Sequence, residues 1–218
     1  LGFVSVAGRI AFGPALPTLD YSIDGTPAPW HPGAPTVNGE VWTQSDTHGV
    51  VIELEVVGTP RAATGDASAA TDELASLEVV GLRCRATNGS PTTIRLQTLT
   101  LATTDRVRIG EPTRWRVYRN GYQSWAGTWT IGVDERDRDV PTRFGRTGVT
   151  DGRHPAASGI GHIRSDSVSA IVDPTSGDAL AIGFTTLAEA FGFVEIDAPG
   201  GELRSLSAWV DLDLVVVS

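Results

Sequence analysis

Between residues 50 and 58 the chain reads VVIELEVVG, placing Val50, Ile52, Leu54 and Val56 on one side and Val51, Glu53, Glu55 and Val57 on the other. Successive strand side chains point to opposite faces, so this alternation predicts a strand with one buried face. LEVVGLRCRATN, 77–88, begins with Leu77 and Val79 inward and then shifts phase, turning Leu82, Cys84 and Ala86 in and Arg83 and Arg85 out. A bulge near Gly81 accounts for the shift. Asn88-Gly89-Ser90-Pro91 reads as a hairpin turn, because Asn-Gly tolerates the positive φ such turns need. The strand expected to return from it, TTIRLQTLTLAT (92–103), slips phase between Leu96 and Leu99. Further strands are predicted at 113–119, 167–173, 179–186, 191–197 and 202–218, with DPTSGD (173–178) as a turn.

Helical signals are poor: TDELASLEVV opens like a helix at Thr71 but soon turns β-branched. No repeat in the range of about 20 to 50 residues appears, which argues against a propeller or solenoid. The expected fold is all-β, an antiparallel sandwich of two large sheets forming a single domain over residues 1–218. Two segments break the rhythm. RAATGDASAATD, 61–72, is small and polar and reads as a hairpin tip. Residues 126–160 carry little strand pattern, and loops of that length usually serve a function or cover a partner.

Composition narrows the function. The formal charge is -9 and all 17 basic residues are arginine, a bias that points to a high-GC bacterial source. An acidic chain repels phosphate backbones, so nucleic acid is not an expected partner. The single cysteine, Cys84, excludes an internal disulfide and a cysteine-based zinc cluster. No segment approaches the roughly 18 uninterrupted apolar residues of a membrane-spanning helix, and no signal-like segment precedes Leu1. A cytoplasmic location and no membrane partner are therefore expected. The first residue is not Met, so a trimmed chain, or a piece of something larger, is expected.

Candidate chemistry is thin outside one region. DERDRD, 134–139, interleaves Asp134, Glu135, Asp137 and Asp139 with Arg136 and Arg138, which suits a solvated salt-bridge network better than a calcium site. His31, His48, His154 and His162 show no metal-ligand spacing. No nucleophile elbow or phosphate loop is present. Asp211 and Asp213, two apart and on one strand face, would sit about 7 Å apart and are expected on a solvent face. No metal or cofactor is implied.

The aromatics differ. Trp115, Tyr118, Tyr122, Trp125 and Trp129 gather five large rings into residues 115–129. A Trp or Tyr platform flanked by amide donors suits the flat C–H face of a sugar. Trp115, between Arg114 and Arg116, is expected to pack under a sandwich edge, whereas Trp125, framed by Gly121 and Ala126-Gly127, is expected at a strand end.

NGYQSWAG, 120–127, resembles the N(G/N)(W/Y)QSW segment in the amino-terminal β-sandwich of glycoside hydrolase family 36 α-galactosidases, and HIRSDSVSAIVDPTSGDALAIGFTT, 162–186, looks like that family's SD-strand-turn-G-strand pattern. The resemblance covers roughly residues 110–218 by motif and the first hundred only by β character. It implies a galactose mutarotase-like supersandwich that packs against a catalytic (β/α)8 barrel of the same polypeptide. The family's two catalytic aspartates lie in that barrel and match no position here, so no catalytic residue is expected in this chain. Carried over, Trp125 lines the galactose subsite, Tyr122 stands where relatives often have Trp, and Asn120, Gly121, Gln123 and Ser124 support the turn that aims Trp125, their polar side chains bonding nearby backbone or equally touching the sugar. The expected partners are a galactose-containing saccharide, the barrel and a possible second copy of the chain. Two alternatives stand beside this: a freestanding carbohydrate-binding module and a mutarotase-like epimerase, which needs an acid and a base at the sugar ring.

Overall fold

The computed structural model describes residues 3–4, 8–13, 15, 17–57, 80–121, 128–136, 159–185 and 190–217. Among these the chain is nearly all β, with several antiparallel sheets and only short 3-10 turns of helix, consistent with an all-β sandwich. It divides into two compact units, Leu1–Asp20 with Leu96–Val215, and Tyr21–Arg95 with Val216–Ser218.

The larger unit holds a small sheet of β1 (Phe3–Val4), β2 (Ala11–Phe12) and β10 (Val107–Arg108). A second sheet runs in the order β12 (Trp129–Gly132), β11 (Arg116–Arg119), β14 (Val168–Val172), β15 (Ala179–Gly183). Against it lies a sheet containing β13 (His162–Asp166), β16 (Phe191–Asp197), β17 (Ser205–Val217), β9 (Ile94–Thr104) and β3 (Thr18–Ile23). Alternation along the strands sends Val117, Ile131 and Ile171 from one sheet, and Ile163, Val194, Ile196 and Leu206 from the other, into a shared core with Ile109 and Trp115. Trp115 is 1% exposed and donates its indole N–H to the Ile109 carbonyl at 2.6 Å, so the ring packs in the core as the sequence led one to expect.

In the smaller unit, β5 (Thr36–Asn38), β6 (Val41–Ser45), β7 (Val50–Val57) and β8 (Gly81–Asn88) form an antiparallel sheet, and Tyr21–Ile23 of β3 pairs with β4 (Thr26–Ala28). Val50, Ile52 and Leu54 are buried, while Glu53 and Glu55 face Arg85 and Arg83 across the β7–β8 ladder. The alternation is realised as read over residues 50–55, while Val56 is only half-buried.

Three expectations change. The Asn88–Pro91 turn does not close a hairpin: β8 pairs with β7, and β9 belongs to another sheet. The Asn88 side chain builds a local turn instead, accepting from the Ser90 N–H at 3.0 Å and donating to the Thr92 carbonyl at 2.7 Å. Leu82, expected inward, is 45% exposed at the start of β8, although Cys84 and Ala86 are partly buried on the expected face. The 126–160 stretch contains β12, which pairs with β11 through Val117↔Ile131 and Arg119↔Trp129. By contrast, the phase slip between Leu96 and Leu99 is present, and DPTSGD closes the β14–β15 hairpin. The helix-like stretch at 71–79, the polar stretch at 61–72 and residues 137–158 lie outside the described residues.

Candidate functional site

β11 supplies the geometry. It lies between β12 and β14, and its alternation buries Val117 and Arg119 while Tyr118 is 37% exposed. The strand ends at Arg119, and Asn120 immediately changes partners. Its backbone N–H donates to Ser165 Oγ at 2.7 Å, its side-chain amide donates to the Asp166 carbonyl at 2.8 Å, and its own carbonyl accepts from the Asp166 N–H at 3.0 Å. Thr128 Oγ1 donates to Asn120 Oδ1 at 3.2 Å. Ser165–Val168 is where the chain leaves β13 and enters β14 in the facing sheet, a turn in which Ser167 takes φ 65°. Ser165 Oγ bonds the Val168 carbonyl and Ser169 Oγ the Tyr118 carbonyl. The two sequence stretches that carry the family resemblance thus meet at one strand end.

Charge is concentrated behind this knot. Arg119 is 1% exposed and its guanidinium carbon lies 4.6 Å from the Trp129 ring centre, a cation–π arrangement. Asp166 is buried, and burial raises its carboxyl above the ordinary range, with Arg164 and then Arg119 pulling the other way. Arg164 in turn sits 3.9 Å from the Phe193 ring centre and 4.9 Å from that of Trp209. Burial disfavours the Arg164 guanidinium, and Glu195, Asp166 and Asp211 offset it; a guanidinium remains charged in such surroundings. Burial outweighs the opposing charges at both Asp166 and Arg164.

Of the residues named from the sequence, Asn120 and Gly121 lie at this end and Gly121 is buried. Tyr122, Gln123, Ser124 and Trp125 lie outside the described residues, as does His154. Glu135 pairs with Arg116 at 3.0 Å, while Asp137 and Asp139 lie outside the described residues. Asp211 is exposed on β17. Sequence reasoning met Ser165 and Asp166 only as the SD of the second resembling stretch, and it did not single out Arg119. Arg119 occupies a buried position of an alternating strand, a faint signal that a charge so placed needs a partner inside.

Among the described residues no group of three or more His, Cys, Asp or Glu is arranged to hold a metal ion. His162 Nδ1 lies 3.0 Å from Asp197 Oδ1, and His48 contacts Tyr21 and Asp46. No family model matches the chain, and no curated protein or solved structure matches it significantly.

Proposed function

We propose that this chain is the non-catalytic amino-terminal β-sandwich domain of an α-galactosidase-like glycosidase, contributing an aromatic wall at Trp125 and Tyr122 to a galactose subsite and packing on a catalytic (β/α)8 barrel. The observation that carries the reading is the NGYQSW segment together with its anchor. Its first residue is tied by three hydrogen bonds to Ser165 and Asp166, which belong to the second resembling stretch. Asn120 is thereby fixed at the end of β11, which is what a presenter of one aromatic ring requires of its base.

The test measures galactose and melibiose binding to the chain by saturation-transfer NMR and titration calorimetry, beside a Trp125→Ala variant and a chromogenic α-galactoside. The expected result is no hydrolysis, together with weak galactose binding that disappears in the variant. Turnover by this chain, or binding indifferent to Trp125, overturns the proposal. A dissociation constant tighter than about 1 mM without any barrel favours the freestanding carbohydrate-binding module.

A further inference from the structure

The smaller unit contains a second polar constellation. Tyr21 on β3 is 1% exposed, and Asp46, in the turn after β6, has a fully buried side chain. Asp46 Oδ1 accepts from the backbone N–H groups of His48 at 2.9 Å and Val50 at 3.0 Å, which fixes the carboxylate. Asp46 Oδ2 accepts from the Tyr21 hydroxyl, and the same phenol oxygen lies 2.7 Å from His48 Nδ1.

Proton counting sets the direction of this chain. A carboxylate only accepts, and a phenol has one proton to give. Burial, and then the bond to Asp46, raise the Tyr21 phenol well above its ordinary range, so it stays protonated and its proton goes to Asp46. The contact to His48 is then donated by Nδ1–H. Fixing the proton on Nδ1 leaves Nε2 as the lone-pair atom of the neutral ring, on a side chain 38% exposed.

We propose that His48 is an acyl-accepting site, its Nε2 attacking activated acyl compounds with Tyr21 and Asp46 as positioning residues. The Nε2 lone pair adds to the carbonyl carbon, the carbon–oxygen bond to the leaving group breaks, and that oxygen departs with the electron pair. The ring becomes an acylimidazolium whose positive charge faces Asp46, with Oδ2 3.5 Å from Nδ1. Water later adds to the acyl carbon, releasing the acid, returning the lone pair to Nε2 and passing a proton to solvent.

The other described histidines lack this combination. His162 Nδ1 lies 3.0 Å from Asp197 Oδ1 without forming a hydrogen bond to it, and Gly159 lies against the Nε2 edge of the ring, where a Cβ would come within 3.2 Å of Nε2. His31 is exposed, with no hydrogen bond or ion pair orienting its ring among the described residues.

The experiment treats the folded chain with diethyl pyrocarbonate, an activated acyl donor, and follows each histidine by time-resolved mass spectrometry. Long-range proton–nitrogen NMR of the neutral rings reads the tautomer. His48 is expected to react several-fold faster than exposed His31, to carry its proton on Nδ1, and to fall to the His31 rate in Tyr21→Phe. A His48 rate at or below that of His31, or a proton on Nε2, overturns the proposal. Both readings are made on the unsubstituted chain and hold even if Tyr21→Phe fails to fold.

Discussion

Asn120 and Asp166 hold each other through two hydrogen bonds of opposite sense, one from the Asn120 side-chain amide to the Asp166 carbonyl at 2.8 Å and one from the Asp166 N–H to the Asn120 carbonyl at 3.0 Å. The second survives any substitution that spares the backbone, while the first does not. Asn120→Ala is therefore expected to cost about 1–2 kcal/mol, since it orphans a partly buried carbonyl and removes the acceptor for Thr128. Urea unfolding with an unchanged slope and a lowered midpoint checks this; an unmoved midpoint would show that the backbone bond alone holds the strand end.

Asp166 makes a pH prediction with a definite sign. Its carboxyl is raised in the folded chain, chiefly by burial, so the folded state binds the proton more tightly than the unfolded state. That contribution is fully present below the unfolded value and is lost as pH rises through the folded one. Relative to Asp166→Asn, the unsubstituted chain should lose stability as pH climbs out of the carboxylate range. Melting temperatures of both proteins from acid to neutral pH test it, and an opposite slope would mean that Arg164 and Arg119 outweigh burial.

Gly110 adopts φ 46°, and a Cβ there would collide with the Asp173 carboxylate. Asp173 has little room to yield, because its Oδ1 accepts the Thr175 N–H at 3.0 Å in the β14–β15 turn. Gly110→Ala should destabilise the chain by about 1–3 kcal/mol through left-handed strain and displacement of that turn. Thermal unfolding is the measurement, and a neutral substitution would show that the turn repacks freely.

Cys84 faces Leu54 across the β7–β8 ladder, and burial pushes its thiol up to about 12. The thiolate is the reactive form, so an aromatic disulfide reagent at pH 8 should label the native chain far more slowly than the denatured one. Rapid native labelling would place the thiol in solvent.

Strand 50–57 is legible because one period-two pattern decides which face is buried. The Asn88-Gly89 step misleads because turn chemistry specifies a bend but not which strands pair after it; pairing depends on residues distant in sequence. β12 escapes notice for a related reason: four residues, WTIG, give too short a pattern to register. At the candidate site the NGYQSW residues and the SD of the second stretch are visible as motifs, whereas Arg119 is not, since what brings it near Asp166 is the crossing between two sheets and no local spacing encodes it.

The anchor of Asn120 joins positions 45 and 46 residues apart. During synthesis, the end of β11 leaves the ribosome before its fastener exists and can be locked only after Ser165 and Asp166 have emerged. Contacts of such separation incur loop-closure entropy before any gain and slow folding accordingly. Locking of that strand end is thus expected among the late folding events of its unit, so an incomplete chain halted before residue 165 would display the NGYQSW segment without its hold.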